Sequence, residues 1–462
     1  MLRATTSLYT DFLDAPPAAC VSVPFHECPS GRSSRADRDA SGTASSGARG
    51  AGPQDLGSGG SAASARALLV TGTYTLDKET SRRHGSLLLH EAILPRAAKG
   101  TLLVDPGPDN AVQLFVWSQL FSCVLAVKLH DVVPLPSGSV LDIRLLPSSI
   151  DPCFPSGSNF VVASSTGQIF VYAVSTESTP SLQPISDHKV TDESTLILSL
   201  AVCPTDGLLL AATTSLSTIL LLRFADKSFR ALEVVAEIEN VHNSIEAWTS
   251  AFSIDSRSLY SGGDDSSFAI WDVSQALSPD SDLAADESPV FPQTYRNRKI
   301  HTAGVTAILP VTVGGREYVF TGSYDQRVRV YSPTANRWLE VECDLGGGVW
   351  RLEKLPDGVL QCGSECNTVN GSIEAVWVLA SCMHAGCRVF KADLVVNSND
   401  ERVEIQLVGS MTEHESMNYA SAWVGRCDIN GKNLQTFLST SFYDQRVCCW
   451  GIRNQPSHTP ST

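Results

Sequence analysis

A repeated segment in the second half of the chain constrains the fold more than any other feature. Residues 321–331, TGSYDQRVRVY, are echoed at 440–450 by TSFYDQRVCCW, and a weaker copy, SGGDDSSFAIWD, occupies 261–272. Each copy places an Asp six residues before an aromatic residue. A strand, a tight turn opened by Asp, and a second strand ending in a core aromatic would produce this spacing. The repeated unit is therefore predicted to be a β-hairpin.

The same hairpin can be followed along most of the chain. The equivalent aromatic residues are Tyr172, Phe224, Trp271, Tyr331, Phe390 and Trp450. Their spacing exceeds the ~40–45 residues of a propeller repeat, so the pattern indicates inserted loops. An apolar run precedes each hairpin, at 140–146, 196–202, 247–252, 305–309, 349–352 and 419–423, and each run is predicted to be an innermost strand. With a leading unit formed by 18–23, 67–74 and 85–89, the sequence predicts an all-β, seven-bladed WD-repeat β-propeller.

The two ends of the chain are predicted to close the ring together. Residues 451–462 are rich in Pro and Ser, so residues 8–13 are expected to supply the outer strand of the last blade and to cover its open edge. We expect one propeller, formed by residues 1–28 and 67–452, and a flexible tail at 453–462.

Two segments are predicted to be insertions into the propeller. Residues 29–66 contain few apolar side chains and are predicted to be a disordered insertion, and residues 274–298 are predicted to be an acidic surface loop. A tethering role remains open for both inserts.

Composition limits the classes of partner. The chain has 34 Lys and Arg against 49 Asp and Glu, a formal net charge of −15, and so negative a surface repels phosphate backbones and anionic lipids. We expect neither a nucleic acid nor a membrane partner. The first residues lack the apolar core of a signal peptide, which predicts a cytoplasmic protein. The 13 cysteines form no C-x-x-C pair, so we expect reduced thiols and no metal site. We also expect a monomer.

Histidines precede several inner strands, and aspartates occupy the hairpin turns of the same blades. In WD repeats such pairs often form buried networks that orient the blade. We assign this structural role to the pairs His242 with Asp265 and His301 with Asp325.

The sixth blade departs from this pattern. His384 stands six residues before Phe390, where the other blades carry Asp, and the glycines 346–348 precede the inner strand. Three successive glycines let a backbone approach a ligand closely or permit an unusual turn. His414 follows on the neighbouring blade, so the two histidines beside a Gly-rich loop form the best candidate site. The motifs G-x-S-x-G, H-E-x-x-H and G-x-x-x-x-G-K-[ST] are absent.

Four motifs carry a resemblance to a known family. The segments GGVWRL at 347–352, ASCMH at 380–384, HES at 414–416 with Tyr419, and SFYD at 441–444 resemble the WD-repeat diphthine methyl ester hydrolases of diphthamide biosynthesis, and GTY at 72–74 matches them too. The resemblance implies a cytosolic, cofactor-free esterase that removes a methyl ester from the modified histidine of translation elongation factor 2.

The resemblance also implies roles for particular residues. His384 or His414 would be the base and Glu415 its orienting partner, while Arg351 or the amides of Gly346, Gly347 and Gly348 would bind the oxyanion or the substrate carboxylate. The remaining substrate-binding residues would be Trp350, Tyr419, Tyr443 and Asp444.

Two departures from the family pattern limit this transfer. After Trp350-Arg351-Leu352 the family tends to continue with an aromatic residue and a His before Pro, whereas this chain has Glu353-Lys354-Leu355-Pro356; it also has Ala422 where an Asp is expected. We expect no acid or base at these positions. The alternative function is a non-catalytic WD-repeat scaffold, because most propellers bind other proteins and a fold alone does not establish activity.

Overall fold

The structure is a computed structural model. It describes residues 10–12, 17–23, 65–77, 79–80, 82–94, 103–106, 113–116, 126–147, 159–176, 179–277, 290–360, 372–396, 401–429, 432–444 and 446–453.

Within these ranges the regular structure consists of β-strands and one short 3-10 helix, Ser274–Leu277. The strands of the first half are β1 (Thr10–Phe12), β2 (Pro17–Val23), β3 (Ala65–Thr73), β4 (Thr75–Leu76), β5 (Arg83–His84), β6 (Ser86–Leu94), β7 (Leu103–Pro106), β8 (Gln113–Val116), β9 (Ala126–Pro134), β10 (Val140–Leu145), β11 (Asn159–Ser164), β12 (Gln168–Ser175), β13 (Ser181–Lys189), β14 (Ile197–Val202), β15 (Leu209–Thr214), β16 (Ile219–Phe224) and β17 (Leu232–Ile238). Those of the second half are β18 (Thr249–Phe252), β19 (Ser258–Gly262), β20 (Phe268–Asp272), β21 (Gln293–Asn297), β22 (Val305–Val313), β23 (Arg316–Ser323), β24 (Arg327–Ser332), β25 (Arg337–Asp344), β26 (Arg351–Lys354), β27 (Ser372–Ser381), β28 (Cys387–Val396), β29 (Glu401–Met411), β30 (Ala420–Ile429), β31 (Lys432–Ser441) and β32 (Arg446–Arg453).

These strands form a seven-bladed β-propeller, as the sequence predicts. The first six blades have the strand orders β2-β3-β6-β9, β10-β11-β12-β13, β14-β15-β16-β17, β18-β19-β20-β21, β22-β23-β24-β25 and β26-β27-β28-β29, and the seventh begins with β30-β31-β32. The first strand of each blade lies innermost, and neighbouring blades contact one another in ring order, with β30 returning to β2. The inner strands therefore surround a central channel.

The hydrophobic core lies between the blades. One cluster joins the fifth and sixth blades through residues such as Phe320 and Phe390, and another joins the sixth and seventh through Val389 and Trp450. The aromatic residues predicted to end the hairpins, Tyr172, Phe224, Trp271, Tyr331, Phe390 and Trp450, are all buried. This burial confirms the predicted core positions. Its physical reason is that alternate residues of a strand face the same neighbouring blade.

The N-terminal strand closes the ring, as predicted. Thr10, Asp11 and Phe12 of β1 pair antiparallel with Cys448, Val447 and Arg446 of β32. The other end of β32 pairs with β8, and β8 pairs with β7, so a hairpin that the sequence analysis did not foresee extends the seventh blade. The edge of β32 is therefore covered along two parts of its length, which removes an open edge from the last blade.

Some predicted boundaries differ from the observed ones. The segment 274–298, predicted to be an acidic loop, contains the 3-10 helix and β21, the outermost strand of the fourth blade. Tyr295 of this strand packs against Tyr331, with ring centroids 5.2 Å apart. Of the predicted insertion 29–66, residues 65 and 66 belong to β3 and the rest lies outside the described ranges. Of the predicted tail 453–462, Arg453 belongs to β32 and the rest lies outside the described ranges. In the described part of the chain, no helix is long and apolar enough to span a membrane.

Candidate functional site

A buried histidine network orders the fourth blade. His242 Nδ1 lies 2.8 Å from Asp265 Oδ1, and its Nε2 lies 3.0 Å from Ser261 Oγ. The indole N–H of Trp271 donates to the same serine oxygen at 2.9 Å. Burial lowers the pKa of His242 despite its partner Asp265, so the neutral ring is favoured. This arrangement has the geometry expected for the structural role assigned from the sequence.

The pair His301 with Asp325 has a similar arrangement in the fifth blade. His301 Nε2 lies 2.9 Å from Thr321 Oγ1, and its Nδ1 lies 3.4 Å from Asp325 Oδ2. Arg329 donates to the same carboxylate at 2.8 Å. These contacts again enclose the imidazole within its blade.

His414, which the resemblance makes a candidate base, lies in the same kind of arrangement in the seventh blade. Its Nε2 is 2.8 Å from Ser439 Oγ, and the indole N–H of Trp450 donates to that oxygen at 3.1 Å. Its Nδ1 lies 3.8 Å from Cys448 Sγ. The residue is 8% exposed, and burial lowers the pKa of the imidazole to about 4. The geometry of His414 therefore matches that of His242, with both ring nitrogens directed into the blade.

Glu415, the proposed orienting partner, pairs elsewhere. Its carboxylate is exposed and lies 3.1 Å from Arg446 Nη2. Asp444 accepts hydrogen bonds from the amide of Glu415 at 3.2 Å and from the hydroxyl of Ser441, and so orders the hairpin turn of the seventh blade. The structure thus brings Glu415 and Asp444 together with Arg446, and Glu415 does not hydrogen-bond to the ring of His414.

His384 is presented to solvent, in contrast to His414. It lies in the turn between β27 and β28, which the Cys382 amide closes by donating to the Gly386 carbonyl at 2.7 Å. An isolated bridge between Met383 and Asn418 ties this turn to the seventh blade. The imidazole is exposed, and no hydrogen bond or ion pair of its ring is found among the described residues. It is therefore accessible to a substrate at the rim of the channel.

The glycine loop packs directly under this turn. A Cβ atom on Gly347 would lie 2.3 Å from the Cys382 carbonyl oxygen, and one on Gly348 would lie 2.8 Å from Met383 Sδ. Gly346 has a φ of 79°, and its N–H donates to Asp344 Oδ1 at 2.8 Å. The glycines are therefore required for close packing against the turn that carries His384, and the Gly346 amide already has a partner.

Arg351 reaches across the channel. Its Nη1 lies 2.9 Å from Asp142 Oδ1, and Asp142 belongs to β10 of the second blade, whereas Arg351 belongs to β26 of the sixth. Asp142 also binds Arg144 Nε at 3.1 Å and the Leu200 amide at 2.9 Å. Although burial opposes ionisation, the two guanidinium groups hold the pKa of Asp142 below its usual range. The pair fixes Arg351 inside the channel.

Glu353 also faces the channel, because alternate residues of a strand point to the same side and Glu353 follows Arg351 by two. The side chain of Glu353 is exposed to solvent. The surrounding protein atoms nevertheless desolvate its carboxyl group and raise the pKa to about 7, whereas the charge of Arg144 lowers it. No acid or base was expected here from the sequence, and the structure places a carboxyl group with a raised pKa at this position. Such a group exchanges protons near neutral pH.

Aromatic side chains line the mouth of the channel. We call five of them, Trp248, Tyr324, Trp350, Tyr419 and Phe442, the aromatic belt. Successive ring centroids along this series are 6.1, 6.1, 5.2 and 5.3 Å apart. Tyr443, which is 72% exposed, and Tyr74 of the first blade continue it beyond Phe442 at 5.0 and 6.2 Å. The belt connects the fourth blade to the first around the rim.

Sequence reasoning selected Trp350, Tyr419 and Tyr443 but missed Trp248 and Tyr324. One signal could have found the first of these. Trp248, Trp350 and Tyr419 each stand immediately before an inner strand, namely β18, β26 and β30. An aromatic residue at this position in three blades points to a shared location at the same end of the channel.

A metal centre finds no support in the described ranges. No group of three or more His, Cys, Asp and Glu side chains there is arranged to hold a metal ion. The exposed His384 lies in the turn between β27 and β28, Glu353 lies on the inner strand β26, and His414 lies inside the seventh blade.

Comparisons with known proteins find one WD-repeat match and a similarity to diphthine methyltransferases. The WD domain, G-beta repeat family matches residues 237–272, which include β18, β19 and β20. Diphthine methyltransferase of Schizosaccharomyces pombe is 28% identical over 385 residues, covering 83% of this chain and 90% of that protein. Diphthine methyltransferase of Saccharomyces cerevisiae is 29% identical over 222 residues, covering 42% of this chain and 49% of that protein. Among solved structures, a chain of the mitotic checkpoint complex has a TM-score of 0.44 at 14% identity, covering 78% of this chain and 83% of that chain.

Proposed function

We propose that this protein hydrolyses the methyl ester of diphthine on translation elongation factor 2, acting as a cytoplasmic monomer. The observation that carries the proposal is the similarity to diphthine methyltransferase of Schizosaccharomyces pombe, which extends over 83% of this chain and 90% of the relative. The relatives are named for methyl transfer, so the direction of the methyl chemistry must be argued from the site.

The site has the groups that ester hydrolysis requires. A water oxygen attacks the ester carbonyl carbon while a base takes the proton, and the tetrahedral intermediate then expels methanol as the protonated base returns its proton to the leaving oxygen. Cationic or N–H donors stabilise the negative oxygen of the intermediate. Carboxylate and methanol are the products. A base that ionises near neutral pH and a nearby guanidinium group both occur in the channel.

Two bases stand at two depths of this opening. His384 lies exposed at the rim, and Glu353 lies three residues beyond Trp350 on the inner strand, about 10 Å further into the channel at ~3.3 Å per residue. The charge of Arg144 opposes the rise of the Glu353 pKa, and we propose that this guanidinium group stabilises the negative oxygen of the intermediate. The depth that the ester reaches decides which base acts.

A non-catalytic scaffold is the competing function, and the half-buried aromatic belt together with the exposed Tyr443 favours it, because aromatic side chains are enriched at protein interfaces. A scaffold would bind the modified elongation factor without altering it.

The test is to incubate the purified protein with methylated elongation factor in ¹⁸O-labelled water and to follow the modified peptide by mass spectrometry. Hydrolysis at the acyl carbon removes the methyl group without any added donor and places one ¹⁸O in the new carboxylate. In a parallel incubation with elongation factor that lacks the methyl ester, gain of a methyl group only when S-adenosylmethionine is added would mean methyl transfer instead. An unchanged peptide under both conditions, together with retained binding, would favour the scaffold.

Matched variants then assign the base. Each of His384→Asn and Glu353→Gln removes one candidate, and the variant of the acting base should lower turnover by ~10²–10⁴-fold. Glu342→Gln, on the outer strand β25 and paired with Arg327, serves as the control and should retain turnover. If both base variants keep full activity, neither residue is the base.

A further inference from the structure

Three rings of the aromatic belt form a nearly equilateral triangle. The centroid of Trp248 lies 6.1 Å from that of Tyr324 and 5.7 Å from that of Trp350, and the last two are 6.1 Å apart. The rings are inclined to one another by 87°, 64° and 41°, and none of the three side chains is fully buried. A cation seated ~4 Å above the middle of this triangle would lie about 5 Å from every centroid, inside the ~6 Å range of cation–π attraction.

Negative charge borders the triangle. Asp264 Oδ1 accepts a hydrogen bond from the indole N–H of Trp248 at 3.0 Å. Asp264 and Tyr324 both approach Gly304, where a Cβ atom would lie 2.9 Å from Asp264 Oδ1 and 3.1 Å from a ring carbon of Tyr324. Burial raises the pKa of Tyr324, and the nearby Tyr419, Asp264 and Glu246 raise it further. A positive charge placed here would meet carboxylates as well as aromatic rings.

The carboxylates attract any cation, whereas the three aromatic rings distinguish between kinds of cation. A primary ammonium group holds its water strongly and needs hydrogen-bond acceptors for its three N–H donors. A quaternary ammonium group has no N–H donors, presents methyl groups to the rings and spreads its charge over them, so it loses little by leaving water for an aromatic surface.

We propose that the triangle of Trp248, Tyr324 and Trp350 binds a quaternary ammonium group. The identity of the natural ligand rests on the proposed function: a cationic group of the modified side chain would occupy the triangle while the ester lies at the channel opening. Binding of a quaternary ammonium ion by itself does not depend on that function.

The experiment measures binding of choline and of its neutral analogue 3,3-dimethylbutan-1-ol to the full-length protein by titration calorimetry and tryptophan fluorescence. The two probes have the same shape and differ in charge. We expect choline to bind about tenfold more tightly than the alcohol, because desolvated cation–π contacts contribute about this factor. Equal affinities for the two probes, or no binding of choline, would overturn the proposal.

Variants locate the site. Trp350→Leu and Trp248→Leu should each weaken choline binding about tenfold, whereas Leu216→Ala, in the exposed turn between β15 and β16, should leave it unchanged. Should a leucine variant not fold, Trp248→Phe keeps an aromatic face and should bind with an intermediate affinity. Equal loss in the Leu216 and Trp350 variants would place the site outside the triangle.

The outcome can be separated from that of the esterase assay. Choline binding without ester hydrolysis would leave the triangle in place and refute the proposed reaction. Ester hydrolysis that choline does not inhibit, in a protein that does not bind choline, would refute the triangle and leave the reaction in place.

Discussion

His414 is expected to stabilise the seventh blade instead of acting on a substrate. Its ring is 8% exposed, contacts Ser439 and lies beside Cys448, and burial lowers its pKa to about 4. The unfolded chain would have a histidine pKa of ~6.5, so the difference corresponds to about 3 kcal/mol at ~1.36 kcal/mol per pKa unit. A folded-state pKa that lies below the unfolded value means that protonation favours unfolding.

The sign of the pH dependence follows from this difference. The contribution of His414 is fully present above pH ~6.5 and is lost as the pH falls through ~6.5 toward 4. In His414→Asn the ionisable group is gone, so the wild-type protein should lose up to about 3 kcal/mol more than the variant over this interval. At pH 7.5 the variant itself should be less stable by about 1–3 kcal/mol, because hydrogen bonding and packing inside the blade are impaired.

Urea unfolding at pH 7.5, 6.0 and 5.0, followed by fluorescence and circular dichroism, measures both effects. His384→Asn is the matched control, since its exposed ring should change neither the unfolding midpoint nor the pH dependence. Activity of His414→Asn, divided by the folded fraction, should equal that of the wild type. A His414→Asn protein that unfolds normally at every pH but has lost turnover would refute this reasoning and make His414 catalytic, as the resemblance implies.

Three further perturbations test other parts of the structure. Deletion of residues 1–14 removes β1 from the edge of β32 and should lower the melting temperature, whereas deletion of residues 29–64 should leave it nearly unchanged; equal melting of both proteins would contradict the closure. Asp142→Asn should lower stability by about 1–3 kcal/mol in chemical unfolding, because Arg351 and Arg144 lose a charged partner; an unchanged midpoint would argue against this pair. If Glu353 is the base, turnover should rise with pH through about 7, since the carboxylate accepts the proton, and Glu353→Gln should abolish that rise; a rise that survives in the variant would assign it to another group.

The fold could be predicted from the sequence because its information is local. Each blade requires alternating apolar residues, a turn opened by Asp and an aromatic residue six positions later, and all of these lie within about a dozen residues. The inner strands and buried aromatics accordingly fall where the repeat predicts them, including Tyr331 and Trp450. The pairing of β1 with β32 also followed from a local observation, the shortage of strand-forming residues after Trp450.

The β7-β8 hairpin and the role of β21 were not predicted, because neither segment carries the repeat. The sequence 293–297 follows an acidic, Pro-containing segment and reads as part of a loop. Only its pairing with β20, which leaves Tyr295 against Tyr331, makes it the outer strand of a blade.

The sequence by itself determined the blade pattern and the hairpin turn that carries His384, whereas the packing of the glycines against that turn emerged only from the structure. The tertiary structure decided the chemistry of the site. Trp248 and Tyr324 meet Trp350 only when the blades close into a ring, and Arg351 reaches Asp142 only across the resulting channel. The pKa values of Glu353 and His414 depend on how completely surrounding atoms replace water, and those atoms come from parts of the chain far apart in sequence.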